Sequence, residues 1–160
     1  MDEVKTYTLE EAHKHFARTL NGKAWELLQK SERTQEEDEL MVYTAYASGY
    51  HWLEAGTELH HQRAEWLIAH VYAELGLMEA ALRHAERCLE LTQEFSGLMK
   101  DFDRAYAYEG MARASALAGN REEALKYIEL AQENGQAISG EEDRKIFMDD
   151  FKGGKWIGMK

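Results

Sequence analysis

Proline is absent from the 160-residue sequence, and only one cysteine, Cys88, is present. The lack of proline leaves long helices uninterrupted, and the abundance of alanine, leucine, glutamate, lysine and glutamine favours them. A single cysteine excludes an internal disulfide, so a reducing, cytoplasmic location is expected. No apolar stretch approaches the roughly 20 residues that span a bilayer, and the N-terminal segment lacks the apolar run of a signal peptide. These absences predict an all-α cytoplasmic protein with no membrane contact.

Basic residues are also scarce, with 19 lysines and arginines against 30 aspartates and glutamates and a formal net charge of −11. Nucleic-acid binding needs a basic face that neutralises phosphates, so this balance argues against a nucleic-acid partner. A basic or neutral partner fits the charge better, although acidic helix faces also serve simply to keep a protein in solution. With 44% hydrophobic residues, the chain is expected to fold as one domain around one core.

Helix starts are marked by capping side chains placed three residues before a glutamate, because such side chains satisfy the first backbone N–H groups of a helix. This spacing occurs at Thr8, Thr34, Asn120 and Ser139. Further candidate caps are Thr57 and Asp101 or Asp103, and Asn134–Gly135 is typical of a helix C-terminus. Together with hydrophobic periodicity, these signals predict seven helices, at residues 8–31, 35–55, 58–75, 78–94, 102–118, 121–134 and 140–150.

An internal repeat is visible when residues 64–91 are aligned with residues 107–134, an offset of 43 positions. Two pairs of small residues then coincide, Gly76 with Gly119 and Ala81 with Ala124. The glycines lie where one helix must end and its partner turn back, a place that favours a residue able to adopt positive φ. The alanines lie one turn into each second helix, where a small side chain lets two helices approach closely. The same offset towards the N-terminus makes the first two helices a degenerate third copy.

The first well-defined copy carries a small residue, tyrosine, glycine and alanine in order, at Ala69, Tyr72, Gly76 and Ala81. This order resembles the signature of the tetratricopeptide repeat, a helical hairpin of about 34 residues. The longer spacing resembles the long-helix variants of that family, and the chain looks like its small bacterial members. The resemblance implies a single domain over residues 1–160, an α-solenoid in which three antiparallel hairpins form a right-handed stack. The hairpins are expected at about 8–55, 58–94 and 102–134, with a capping helix at about 140–150 and a tail at 151–160.

In tetratricopeptide proteins the first helix of each hairpin lines a concave groove that holds an extended peptide or a partner helix. Carried over to this sequence, the resemblance implies groove-facing positions at Arg63, Trp66, His70, Tyr106, Glu109 and Arg113. Another stripe of the same helices supplies a buried face, which leaves this face to carry the aromatic and arginine side chains that recognition favours. The sequence leaves two alternatives for the groove, which is either open or filled by the protein's own tail. The predicted function is a non-enzymatic adaptor that binds a protein or peptide segment, without a cofactor and with a homodimer as an open alternative. An internal salt bridge is the alternative use of Glu109.

Two further clusters define alternative functions. One face of the second predicted helix carries Tyr43, Tyr46 and Tyr50. These tyrosines are expected to pack in the core or at a dimer contact. The alternative is that they form the small-molecule pocket of a ligand-sensing domain. Two Glu-x-x-His pairs match an element of di-iron helical bundles, Glu10 with His13 and Glu58 with His61, and Glu65 lies one turn beyond. Glutamate is common near helix starts for electrostatic reasons, so the pairs are a weak signal and no metal site is predicted.

No catalytic set emerges from the sequence. It contains no Gly-x-Ser-x-Gly motif, and Cys88 lies in the apolar stripe of its helix, where a thiol is usually inert.

The C-terminal region carries a separate apolar group, Ile146, Phe147, Phe151 and Trp156. Because a repeat array exposes an apolar terminal face, this group is expected to cover it, with a swapped or dimer-forming arm as the alternative.

Overall fold

The computed structural model describes residues 2–159, which form seven α-helices and no β-strand. The predicted all-α class is therefore confirmed over these residues; Lys160, part of the predicted tail, lies outside them. The helices are α1 (Leu9–Leu28), α2 (Gln35–Ala55), α3 (Glu58–Glu74), α4 (Met78–Glu94), α5 (Asp101–Leu117), α6 (Arg121–Gln136) and α7 (Glu141–Lys152), with a 3₁₀ turn at Ser96–Leu98. Within the described part of the chain, no helix has the length and apolar character needed to cross a membrane.

Side-chain capping sets the start of three helices as predicted. Thr8 and Thr34 each accept a hydrogen bond from the backbone N–H of the glutamate three residues on, at 3.1 and 3.2 Å. The two glutamates bond back to the cap N–H groups, so α1 and α2 each begin in a complete capping box. Asn120 caps α6 through its side-chain oxygen.

The prediction that Ser139 caps the last helix is wrong. α7 begins at Glu141 with Gly140 as its N-cap residue. The backbone N–H and hydroxyl of Ser139 instead donate to the Asp101 carboxylate, at 2.9 and 3.1 Å. These bonds hold the pKa of the Asp101 carboxyl below its usual value, because they stabilise its charged form. They also tie the segment before α7 to the first residue of α5.

Glycine has two different roles at the helix ends. Gly76 and Gly119 follow α3 and α5 with φ of +75° and +78°, which confirms that these turns need positive φ. Gly135 does not end α6 as predicted, because the helix continues through it to Gln136. A β-carbon at Gly135 would lie 2.3 Å from a ring atom of Phe147, so the missing side chain makes room for that ring.

Three antiparallel hairpins, α1–α2, α3–α4 and α5–α6, account for most of the packing, and α7 packs on α5 and α6. Ala81 and Ala124, the small residues of the repeat, are fully buried. Phe147 of α7 is also fully buried, in a cluster with Ala131 and Ile138. Burying a phenylalanine side chain stabilises a fold by about 1.5–3 kcal/mol, so α7 is an integral part of the domain.

The first helices of the three hairpins are linked by a row of aromatic rings. Trp25 of α1 stacks on Trp66 of α3 with ring centroids 5.7 Å apart. Trp66 meets Tyr106 of α5 edge to face at 5.0 Å, and Tyr106 meets Phe147 of α7 at 4.9 Å. Such pairs add about 0.5–1.5 kcal/mol beyond the area they bury. The row therefore connects α1, α3, α5 and α7, and the candidate site is built around it.

Candidate functional site

The face formed by α3 and α5 carries the six predicted groove residues, Arg63, Trp66, His70, Tyr106, Glu109 and Arg113. Four of them form one connected cluster. The Nε1–H of Trp66 donates to one oxygen of the Glu109 carboxylate at 2.8 Å, and the Arg113 guanidinium donates to the other oxygen. The His70 ring stacks on Trp66 with centroids 4.9 Å apart. The internal salt bridge considered for Glu109 is therefore present, and its partner is Arg113.

This cluster is buried rather than free. Trp66, Glu109 and Arg113 are 8%, 1% and 4% exposed. These three residues are therefore covered in the described structure, and their role in binding stays a prediction. The rings of Trp25 and Tyr106 pack on Trp66. α7 and the C-terminal tail, which we define as residues 153–159, cover Arg113. The apolar side chains of the C-terminal region have to be buried somewhere, and the uncovered side of α5 accepts them.

Arg113 is the main contact between α5 and the tail. Its guanidinium donates to the backbone carbonyls of Asp150 and Gly153, each at 2.8 Å, and of Lys155 at 3.1 Å. The indole ring of Trp156 lies over the guanidinium, with its centroid 4.2 Å from Cζ. Trp156 therefore contacts a charged group of α5 through a cation–π interaction, and its role in covering an apolar terminal face stays a prediction. Ile146 of α7, by contrast, stays 50% exposed.

Arg63 lies apart from the buried cluster. Its Nε and Nη2 donate to the two oxygens of the Asp103 carboxylate, at 2.8 and 3.1 Å. Asp103 is almost completely buried at the start of α5, whereas the Arg63 side chain is 40% exposed. A bidentate pair of this kind fixes the guanidinium plane, so Arg63 presents a rigid cationic group at the edge of the face.

Tyr106 joins α5 to α7 through its hydroxyl group, which donates to a carboxylate oxygen of Asp150 at 2.6 Å. Burial raises the pKa of Tyr106 strongly, and the Asp150 carboxylate raises it further because it disfavours the phenolate. The phenol therefore stays protonated as a hydrogen-bond donor and is unsuited to act as a base at neutral pH.

His70 is the least satisfied polar side chain of the cluster. Its Nδ1 is buried without a hydrogen-bond partner within residues 2–159, and it lies 3.9 Å from the nearer Glu109 oxygen. Burial lowers the pKa of the imidazole, and the Arg113 charge adds to this, while nearby carboxylates oppose it. The ring is therefore neutral at pH 7 and packs as an aromatic between Trp25 and Trp66.

A cavity of about 320 Å³ opens beside this cluster, between α1, α3, α5 and α7. We call it the aromatic cavity. Its walls are Asn21, Trp25, Gln62, Arg63, Trp66, Leu67, Phe102, Asp103, Tyr106, Ile146 and Asp150. Most of this lining is aromatic or aliphatic, and the Arg63–Asp103 pair supplies fixed polar groups. The cavity has the size and composition of a site for one or two large apolar side chains.

A second cavity, of about 200 Å³, adjoins the first and shares Trp25, Trp66 and Asp150 with it. We call it the tail cavity, because Gly153 and Gly154 form part of its wall. The other lining residues are Leu28, Gln29, His70, Glu74 and Asp149. The two cavities together form a cleft between α1 on one side and α7 with the tail on the other.

The tyrosine cluster of α2 lies on a different surface. Tyr43, Tyr46 and Tyr50 are 72%, 37% and 56% exposed, so they do not pack in the core, and the dimer contact considered for them stays a prediction. Periodicity placed them on one face of α2. Tyr46 contacts Tyr72 of α3 and His84 of α4, whereas Tyr43 and Tyr50 stay mostly exposed. A cavity of about 230 Å³ lies beside Tyr46 and Tyr50 and includes His61 and Glu65 of α3.

A chain of hydrogen bonds runs behind this cavity. Glu65 accepts from His84 Nδ1 at 2.5 Å, and His84 Nε2 contacts the Tyr46 hydroxyl at 2.9 Å. The Tyr72 hydroxyl then donates to that of Tyr46 at 3.1 Å. Burial, with Tyr72 as a second cause, raises the pKa of Tyr46 to about 12, so this tyrosine is a poor nucleophile. The chain ties α2, α3 and α4 together.

The residues of the metal alternative are engaged in other contacts. Glu10 forms an ion pair with Lys14 at 2.9 Å, and His13 Nδ1 lies 2.8 Å from His51 Nδ1. His61 and Glu65 pair with each other at 3.4 Å, and Glu58 is exposed at the start of α3. Within the described residues, no three His, Cys, Asp or Glu side chains are grouped so that they could hold a metal ion.

Cys88 is buried, as expected for a residue of the apolar stripe of α4. Burial raises the pKa of its thiol far above the usual value, and the nearby Glu65 carboxylate adds to this. The thiolate is therefore scarcely populated at neutral pH, which agrees with packing rather than with nucleophilic chemistry.

No family model, curated protein sequence or solved structure matches this chain.

Several residues of the cleft were missed by the sequence analysis. They are Trp25 of α1, Asp103 of α5 and Ile146, Asp149 and Asp150 of α7. The repeat gave no signal for Trp25, because moving back 43 positions from Arg63, Trp66 and His70 leads to positions 20, 23 and 27. The α7 residues had no signal either, because they lie outside the repeat.

Proposed function

We propose that the protein is a non-enzymatic adaptor that binds a polypeptide segment of a partner in the cleft between α1 and α7. The observation that carries this proposal is the aromatic cavity, a pocket of about 320 Å³ walled by Trp25, Trp66 and Tyr106. Aromatic walls with a few fixed polar groups are typical of sites that take an anchor side chain.

The polar groups around the cavity suit a polypeptide. The Arg63 guanidinium is held by Asp103 and is partly exposed, so it is available to a backbone carbonyl or a carboxylate. Asp149 is exposed at the other end of the cleft and offers a carboxylate to a basic side chain. With a net charge of −11, the protein also repels a strongly acidic partner, and we propose no nucleic-acid partner.

The proposal includes a right-handed, tetratricopeptide-like stacking of the three hairpins. It is supported by the matching positive φ of Gly76 and Gly119, and by the complete burial of Ala81 and Ala124 at equivalent positions. In such a stack α1, α3 and α5 are the first helices of their hairpins and line one side, which is where the cleft lies. A cytoplasmic location and a homodimer remain predictions of the same proposal.

The proposal is tested with peptides selected from a random display library on the wild-type protein. Trp66 and Arg113 are buried, so their substitution would disturb folding as well as binding. Ile146→Asp is the better change, because Ile146 lines the aromatic cavity and is already 50% exposed. We expect it to weaken peptide binding at least about tenfold, which a fluorescence anisotropy titration measures.

Matched controls separate the cleft from the rest of the surface. Leu125 on α6 is 48% exposed and lines neither cavity of the cleft, so Leu125→Asp should leave the affinity unchanged. Arg63→Lys keeps a counter-ion for the buried Asp103 but removes the planar guanidinium, so it should weaken binding, whereas Arg87→Lys, at an exposed ion pair on α4, should not. Selected peptides that bind all four variants as tightly as the wild type would show that the cleft is not the binding site.

A second candidate function is the binding of a small molecule at the tyrosine face of α2. The cavity of about 230 Å³ beside Tyr46 and Tyr50 favours it, because it combines aromatic walls with the Glu65 carboxylate and His61. A metabolite screen that monitors the melting temperature tests this, because a ligand of the folded state alone must raise it. A hit whose shift persists in Tyr50→Ala would argue against this location.

A further inference from the structure

The tail lies on α5 in the manner of a bound peptide. The Arg113 guanidinium donates to the tail carbonyls of Gly153 and Lys155, and the Trp156 ring lies over it. It also donates to two carbonyls at the end of α7, those of Asp150 and Phe151. Lys155 also lies 3.6 Å from Glu74 of α3. Backbone carbonyls, one aromatic ring and one basic side chain are the groups with which an extended segment is usually recognised.

Two glycines allow the tail to approach this closely. Gly154 has φ of +71°, and a β-carbon there would lie 3.1 Å from Arg113 Nη1. Gly158 has φ of +90°, and a β-carbon there would lie 2.0 Å from the carbonyl oxygen of Ala116. Both positions combine a left-handed backbone with a close neighbour, so any other residue would be strained and would lift the tail from α5.

The surface beneath the tail is suited to recognition in its own right. Without the tail, the Arg113 guanidinium would keep its contacts with Glu109 and with the α7 carbonyls of Asp150 and Phe151. It would lose the carbonyls of Gly153 and Lys155 and the Trp156 ring. His70, whose Nδ1 is buried without a hydrogen-bond partner in the described structure, lines the adjoining tail cavity. Trp66 and Glu109 complete a surface with aromatic area, both charge signs and unfilled hydrogen-bonding positions.

We propose that the tail is an intramolecular ligand of this surface, and that the partner segment binds by replacing it. The segment has the chemistry of the tail: a glycine-containing stretch with left-handed turns, whose carbonyls accept from Arg113 and whose aromatic side chain stacks on the guanidinium. This inference rests on the proposed function and specifies both the partner and its regulation. A covalently attached tail acts at an effective concentration on the order of millimolar. A partner segment must therefore bind the surface strongly enough to compete with the tail at that concentration.

The test uses the full-length chain with the tail released. Gly158→Ala places a methyl group against the Ala116 carbonyl, and Gly97→Ala is its control because a methyl group at Gly97 meets open space. The probe is a synthetic, fluorophore-labelled peptide with the sequence of residues 153–159. We expect the peptide to bind Gly158→Ala at least tenfold more tightly than it binds the wild type or Gly97→Ala. A peptide with alanine in place of its tryptophan should lose this binding.

Hydrogen exchange of the tail amides shows whether Gly158→Ala has released the tail. If that variant fails to fold, Trp156→Ala in the full chain replaces it, because it removes the stacking on Arg113 without adding a clash. Equal affinity of the peptide for wild type and released variant would overturn the inference, and so would a released variant that does not bind the peptide. A wild-type dimer that exchanges tails would identify a second copy as the occupant and would also overturn it.

The two proposals can fail separately. Library peptides that depend on Ile146 but bind Gly158→Ala and wild type equally would leave the adaptor function standing and remove the role of the tail. The opposite result is a tail peptide that binds the released variant while no library peptide depends on Ile146. It would show that the aromatic cavity is not the partner site, and it would still support binding at the surface beneath the tail.

Discussion

Glu109 is the residue on which the contact between α3 and α5 and the position of the tail both depend. Its carboxylate accepts from Trp66 on α3 and is paired with Arg113, which in turn holds the tail carbonyls. A buried ion pair is weak support for stability when it is intact, but removing one partner leaves an uncompensated buried charge. The effect of a single substitution here is therefore expected to be large.

We predict that Glu109→Gln lowers the free energy of unfolding by about 3 kcal/mol or more, because the Arg113 charge loses its counter-ion while the shape of the site is kept. Urea denaturation at neutral pH measures this. The control is Glu90→Gln, which breaks the exposed Arg87–Glu90 pair and should change stability by less than about 0.5 kcal/mol. Similar losses in the two variants would mean that the buried pair does not stabilise the cluster.

His70 makes stability depend on pH in a defined direction. Its pKa is lowered in the folded state, mainly by burial and then by Arg113, against the opposing charges of Glu109, Glu74 and Asp150. The unfolded chain therefore binds a proton at His70 near pH 6.5 while the folded chain does not, and stability falls as the pH drops below that value.

We predict that His70→Gln reduces the loss of stability at low pH. The difference in unfolding free energy between pH 7.5 and pH 5.5 should be smaller in the variant than in the wild type, because glutamine takes up no proton. Urea titrations at the two pH values measure the difference, and the value at pH 7.5 controls for the packing cost of the substitution. Identical pH dependence in both proteins would show that His70 is protonated equally in the folded and unfolded states.

α7 depends on a glycine in the helix that it packs against. Gly135 lies inside the last turn of α6, where alanine would normally stabilise a helix by up to about 1 kcal/mol. Here a methyl group would lie 2.3 Å from the ring of Phe147, a side chain with no exposed surface. The contact between the two helices should therefore outweigh helix propensity.

We predict that Gly135→Ala lowers the unfolding free energy by about 1–3 kcal/mol, because Phe147 must shift within a packed core. The matched control is Gly22→Ala inside α1, where the new methyl group meets no atom within 4 Å. That change should stabilise the protein by about 0.5–1 kcal/mol. Chemical denaturation of both variants provides the comparison, and a stabilising effect at both positions would contradict the packing argument.

The range of each interaction explains which elements were predictable from the sequence. The capping box at Thr8 and the turn at Gly76 depend on residues a few positions away, so their patterns identified them correctly. The roles of Ser139 and Gly135 are determined by contacts with α5 and α7, respectively. The local sequence pattern does not contain these contacts, so it assigned both residues to helix ends. The exposure of Tyr43 depends on whether another helix covers its face, which periodicity cannot report. The burial of the predicted groove has the same cause, because α7 and the tail lie outside the repeat.

At the scale of the whole molecule, packing is uneven along the chain. α3 and α5 each contact helices on several sides, and most residues of α5 are buried. In α1, by contrast, Ala17, Ala24 and Leu27 are the buried residues, and its first two turns contribute none. In a hairpin array each unit is stabilised mainly by its neighbours, so an end unit opens more easily than a central one.

We predict that native-state hydrogen exchange is slowest in α3 and α5 and markedly faster in residues 9–16 of α1. Gly135→Ala should accelerate exchange in α6 and α7 while leaving α1 and α2 close to wild type, because their packing partners are unchanged. Equal protection in all seven helices, lost together in the variant, would mean that the domain opens only as one unit. The unequal outcome bears on binding, because Trp25 of α1 and Ile146 of α7 face each other across the aromatic cavity. A cleft whose two walls belong to separately opening units can widen to admit a segment while its floor of α3 and α5 stays folded.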